Sequence, residues 1–315
     1  MYIIEPGNLR AESQLSSDRT LALWEWRDVQ QLGNYKSELA IARSQGFNTI
    51  YLEISQVIDI YDQRQRQQQE RLAKLTKAIG NYIEAARANN IDVLALAGSR
   101  SWATPGTQYI LMQVLGFVIS YNADAPANAA FSGLQYDVEA YNLPAFANDQ
   151  ETVMSDYLTA VEAVCSSWNQ QASSTDDLEL GFTMPFWLNG TNGYAETINW
   201  NGTYQYPAYD LMNVLNTVKR PFVAIMDYRN YADGADGAIS LALPDINYAH
   251  SHTPNVRIII GQEVSDVTPS KITFYGRPQA SLGKQLKCLN AAFADYALFA
   301  GIAINDFQSY LTFIN

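Results

Sequence analysis

The sequence predicts a single-domain α/β protein, a (β/α)8 TIM barrel. Three observations lead there. Eight apolar runs of strand length recur along the 315 residues, and stretches of helical period separate them. No run is followed by a glycine-rich nucleotide fingerprint or a P-loop, which removes support from a doubly wound sheet. A chain of this length can bury one large core, and barrels of this size often form one domain.

The first run, Leu21 to Trp26, follows an N-terminal extension over residues 1–19. The second, Phe47 to Ile54, comes after a helix closed by Gly46. Leu72, Leu75, Ile79, Tyr82, Ile83 and Ala86 then recur three and four apart, which marks one buried helical face. The polar Gln63 to Gln69 stretch before them reads as a solvated helix face. The third run, Ile91 to Gly98, precedes a helix opened by Pro105-Gly106. Gly133 to Glu139, Leu178 to Pro185, Phe222 to Tyr228, Val256 to Glu263 and Phe299 to Asp306 complete the set. Only Phe307 to Asn315 remain after the eighth run. The last helix is therefore short or missing, or the segment 1–19 covers that flank.

Composition narrows the function classes. With 32 acidic against 20 basic residues the net charge is −12, which argues against nucleic acid and anionic membrane as partners. No apolar stretch reaches the roughly twenty residues of a membrane span. A hydrophobic share of 48% against 17% charged residues argues against disorder. Cys165 and Cys288 form no CxxC pair, and two histidines, His250 and His252, cannot build a His-rich metal centre. The two histidines are expected at the end of the barrel away from its mouth. No signal peptide is visible from Met1 to Arg10, which leaves the compartment open. Asn189-Gly190-Thr191 and Asn201-Gly202-Thr203 fit the glycosylation pattern, a triplet that arises often by chance. No cofactor motif is present, and the oligomeric state is not legible.

Barrel enzymes keep their chemistry at the C-terminal ends of the strands. These ends are acidic here. The two-residue period puts Thr49, Tyr51 and Glu53 on one face of the second run, and Gly133, Gln135, Asp137 and Glu139 on one face of the fourth. The seventh run ends in Glu263, and Glu25, Asp227 and Asp306 close others. A single acid at a strand end commonly caps a helix or pairs with Arg. Several crowded into one mouth repel, so at least one should hold its proton toward neutral pH. Trp24, Trp26, Trp102, Phe186, Trp187, Tyr228, Tyr231 and Trp200 gather near the same ends, where flat rings suit the apolar faces of sugars and some simply fill the barrel.

The segment Phe131-Ser132-Gly133-Leu134-Gln135-Tyr136-Asp137-Val138-Glu139 resembles the fourth-strand motif DxxDxDxE of family 18 chitinases, with Ser132 and Gln135 in place of its first two acids. The resemblance implies that Glu139 is the general acid and that Asp137 holds a substrate acetamido group. Met226-Asp227-Tyr228-Arg229 meets that family's M-x-Y-D in part, with Arg229 at the Asp position. GLQYDVEAYNLP, MPFW, IMDYRNYADG, IIIGQE and GIAINDFQSY together look like a group of bacterial glycosidase-like barrels. Glu139 after the fourth strand and Glu263 after the seventh also take the positions of acid/base and nucleophile in retaining clan A glycosidases, although Val138 stands where that clan carries Asn.

The leading expectation is a glycoside hydrolase that acts on an oligo- or polysaccharide without a cofactor or metal. Glu139, Glu263 and Asp137 would be catalytic. Glu53, Tyr51, Asp227, Tyr228, Trp24, Trp26, Trp102, Trp187 and Asp306 would bind substrate. Two alternatives stand beside it: a sugar-binding barrel without catalysis, and a Mg2+ or Ca2+ enzyme using Asp137, Glu139, Glu263 and Asp306 as oxygen ligands.

Overall fold

The computed structural model describes residues 7–61 and 65–314. Eight parallel strands, β1 (Thr20–Glu25), β2 (Thr49–Glu53), β3 (Asp92–Ala97), β4 (Gly133–Tyr136), β5 (Glu179–Pro185), β6 (Pro221–Met226), β7 (Arg257–Glu263) and β8 (Phe299–Asn305), close into a barrel in chain order. Each is followed by a helix: α1 (Tyr35–Ser44), α2 (Gln65–Ala88), α3 (Tyr109–Asp124), α4 (Gln150–Gln170), α5 (Pro207–Leu215), α6 (Ala238–His252), α7 (Gln279–Phe293) and α8 (Phe307–Phe313). The expected (β/α)8 barrel is the observed one.

The two-residue period of each strand divides its side chains between two cores. Trp24, Tyr51, Leu96, Phe222 and Ile259 fill the barrel interior. Leu23, Ile50, Leu52, Leu134, Tyr136, Val223 and Ile225 point outward and pack under the helices. Burying each large apolar side chain contributes about 1.5–3 kcal/mol. The α2 stripe from Leu75 to Ala86 is buried as its spacing predicts. Residues 66–69 are exposed or half-buried along the same helix, whereas 62–64 lie outside the described residues.

The eighth helix is short, and it shares its flank with the N-terminal segment. On α8, the Tyr310 ring meets Phe47 edge-on at 4.9 Å and its hydroxyl donates to Gln45 at 3.3 Å. A single helical turn and a half, Leu9–Ser13, packs against α7, and the Arg10 guanidinium donates to Gly46 O at 2.7 Å and Arg19 O at 3.0 Å.

One element was not anticipated. After β5, Ile198–Trp200 and Thr203–Gln205 form an antiparallel hairpin against α4. Its turn is Asn201-Gly202, both at positive φ, a dipeptide suited to tight hairpins. That same dipeptide begins the second glycosylation triplet. At the first triplet Asn189 is buried and its amide donates to Asp245 at 3.0 Å, so it is no glycan acceptor in the folded protein. Both cysteines are free. His250 and His252 lie in the last turn of α6, at the end of the barrel where the strands begin. Among the described residues no helix is long and apolar enough to cross a membrane.

Candidate active site

Two acids leave β4 together. The strand ends at Tyr136, and Asp137 and Glu139 occupy the turn beyond it. Gly98, at the end of β3, lets that turn come close: a Cβ there would sit 1.9 Å from the Asp137 carbonyl oxygen. The Asp137 carboxylate accepts from the Thr183 hydroxyl of β5. Burial raises its pKa to about 7; the nearby charge of Glu139 adds to the rise, Thr183 opposes it, and Glu53 adds again. The expected proton-holding acid is therefore Asp137. Glu139 takes hydrogen bonds from the Tyr141 hydroxyl and, at 2.9 Å, from the Asn142 amide.

Across the mouth, β7 ends in Glu263, which is 3% exposed. The Ser265 N–H and hydroxyl both donate to its Oε1 at 2.7 Å, and the Asn305 amide of β8 donates to Oε2 at 2.6 Å. Burial raises the pKa of Glu263, these donors oppose the rise, and the charge of Asp306 adds to it. Tyr228 follows β6. Burial holds its hydroxyl far above the usual phenol range, and the charges of Glu263, Asp137, Glu139 and Asp306 push it further. Its ring passes over Gly261, where a Cβ would be 3.2 Å from Tyr228 and 3.3 Å from Trp24.

The remaining residues separate into floor, wall and support. Trp24 and Tyr51 are floor, with ring centres 5.7 Å apart inside the barrel. The Trp24 indole donates to Gln135 Oε1 at 2.8 Å, which gives Gln135 a reason to be an amide. Tyr51 is pushed up by burial, and the charges that act on it belong to Glu179 and Arg257, at the beginnings of β5 and β7. Trp187 forms a wall edge-on to Tyr141 at 5.0 Å. Trp26 stands at the rim, 39% exposed, and donates to Asn305 Oδ1 at 2.7 Å. Glu53 accepts from the Ser55 N–H, and burial raises its pKa.

Most of the other sequence-predicted residues are held by structural partners. Glu25 is bound by Arg27. Trp102 is buried in the outer core. Asp306 caps α8, accepting from the Ser309 N–H and hydroxyl at 2.8 Å each. Asp227 is fully buried on the outward face of its strand, and the charges acting on it are those of Arg229, Asp245 and Asp236. Trp200 belongs to the hairpin and donates to Thr159 on α4 at 3.4 Å. The Tyr231 hydroxyl donates to Asp236 at 2.6 Å, and Phe186 lies under the Arg229 guanidinium at 5.0 Å.

Thr183 and Asn305 are the residues that the sequence reading overlooked. Both fall on the inward face by the two-residue period, Thr183 two after Gly181 and Asn305 two after Ala303. Among the described residues no three His, Cys, Asp or Glu side chains come together in a way that could hold a metal ion.

No protein-family profile and no curated protein matches the sequence. Solved structures share its fold. A family 1 β-glucosidase from Thermotoga maritima superposes with a TM-score of 0.58 at 9% identity, over 92% of this chain and 88% of that one. A GH18 chitinase from Cycas revoluta, in complex with (GlcNAc)3, gives 0.53 at 13% identity over 94% and 97%. An exo-β-1,4-mannosidase from Opitutaceae bacterium strain TAV5 gives 0.56 at 10% identity over 91% of this chain, which spans about half, 51%, of the mannosidase. The likeness is one of fold, a (β/α)8 barrel.

Proposed function

We propose that the chain is a glycoside hydrolase acting on a β-linked oligosaccharide. One observation supports the reading: Asp137 and Glu139 beyond β4 and Glu263 at the end of β7 all exert their charge on Tyr228. Two carboxyl groups facing a common centre are what glycosidic cleavage needs, one to protonate the leaving oxygen and one to meet the oxocarbenium-like transition state.

Glu139 is the proton donor. Tyr141 suits this role, because its hydroxyl donates to the carboxylate and accepts from the carboxylic acid, so it holds Glu139 in place in either state. Glu263 meets the developing positive charge, kept in position by Ser265 and Asn305. Asp137 carries a proton up to about pH 7 and, while protonated, donates a hydrogen bond to the substrate or to Glu139. Trp187 and Trp26 flank the sugar rings. The names of the exo-β-1,4-mannosidase and the β-glucosidase support the choice of β-linked substrates. A panel of β-glucosides, β-mannosides and chitooligosaccharides tests the reading: wild type hydrolyses at least one, and Glu139→Gln loses nearly all turnover while keeping its fold. Equal turnover by both proteins would remove Glu139 from the mechanism.

A further inference from the structure

A cavity of about 560 Å3 lies between the loop after β7 and α8, outside the site just described. Its volume falls within the roughly 300–1,000 Å3 of small-molecule sites. Ser265, Asp266, Tyr275, Arg277, Ser309 and Thr312 contribute to its lining. Tyr275 presents its ring with 54% of its surface exposed. Among the described residues the side chains of Arg277 and Asp266 make no hydrogen bond or ion pair, so a cation and an anion on neighbouring walls are both free to bind.

The two serines restrict what can enter. Each hydroxyl has one proton, and each is already committed: Ser265 donates to Glu263 at 2.7 Å and Ser309 to Asp306 at 2.8 Å. Toward the cavity they offer only lone pairs. A ligand must therefore donate to Ser265, Ser309 and Asp266, accept from Arg277, and lay an apolar face on Tyr275. An inorganic anion, which only accepts, meets one of these requirements; a neutral pyranoside meets all of them. We propose that this cavity is a second saccharide-binding site, coupled to Glu263 through Ser265. A sugar hydroxyl that donates to Ser265 Oγ polarises the serine O–H toward Glu263, and the strengthened bond favours the Glu263 carboxylate.

The coupling rests on the glycosidase reading, whereas binding does not, and the test separates them. Cellobiose, mannobiose, N,N′-diacetylchitobiose and inorganic phosphate are titrated calorimetrically into Glu139→Gln, and into the same protein carrying Tyr275→Ala or Arg277→Ala. Both added positions are exposed, and thermal unfolding verifies the fold. The expected result is that at least one disaccharide binds, that each added substitution weakens that binding about tenfold, and that phosphate neither binds nor displaces the sugar. The proposal is overturned if no disaccharide binds, if both substitutions leave affinity unchanged, or if phosphate takes the site. Binding that depends on Tyr275 in a protein whose wild type hydrolyses nothing would uphold this site and reject the hydrolase. Hydrolysis without such binding would do the reverse.

Discussion

Asn305 connects Glu263 to the rim of the barrel: its amide nitrogen donates to Glu263 Oε2 at 2.6 Å while its carbonyl oxygen accepts from the Trp26 indole at 2.7 Å. The Trp26 bond fixes the orientation of the amide, so the group facing Glu263 is a donor. Asn305→Ala removes that donor and frees Trp26. Losing one hydrogen bond to a charged group costs about 1.5–3 kcal/mol, so kcat/KM should fall by about 10- to 100-fold. Tryptophan fluorescence should change with it. Unchanged kinetics would separate Glu263 from the chemistry.

Asp137 should leave its mark on stability. Its pKa is raised from the ordinary 3.8 to about 7, so the folded state binds its proton more tightly than the unfolded state. The corresponding stability is fully present below about pH 4 and is lost as pH rises through about 7. At 1.36 kcal/mol per unit the loss is up to about 4 kcal/mol. Asp137→Asn stays neutral, so it should unfold at a higher temperature than wild type at pH 8 and converge on wild type toward pH 4. Thermal melts across this range decide it; parallel curves for the two proteins would contradict the assignment.

The same titration predicts a kinetic limb. Turnover should decline as pH rises through about 7, where Asp137 loses the proton it donates. Asp137→Asn should abolish that limb, as read from kcat against pH.

Gln135 serves Trp24, and a double-mutant cycle exposes this. Gln135→Leu leaves the buried Trp24 N–H without its acceptor, at a cost of about 1–3 kcal/mol. Trp24→Phe removes the donor as well, so the Gln135→Leu penalty should shrink in the Trp24→Phe background. Equal penalties in both backgrounds, measured by denaturant unfolding, would show that the bond does not matter to stability.

The fold was legible because its strands are regular. In β2, Tyr51 and Ile50 go to opposite cores as a two-residue period requires, and the apolar runs were long enough to show it. The hairpin was harder, since Ile198–Trp200 and Thr203–Gln205 are three residues each and carry little pattern beyond Asn201-Gly202. Within the candidate site, Asp137, Glu139 and Glu263 stood out as acids at strand ends, and each lies at the mouth. Residue type was less informative than face. Asp227 and Glu25 end strands but point outward, where burial and Arg27 respectively dominate their surroundings. Thr183 and Asn305 are uncharged but point inward, and their hydrogen bonds hold the acids in place.

The proposed cleavage depends most on opposed roles for Glu139 and Glu263. It is tested most directly by azide rescue of Glu139→Ala and Glu263→Ala, using an activated aryl β-glycoside that wild type hydrolyses. Glu139→Ala is expected to retain cleavage of the activated bond, whose leaving group needs little protonation, and Glu263→Ala to lose it until azide enters from the opposite face. Full activity in both variants toward activated and natural substrates alike would contradict it.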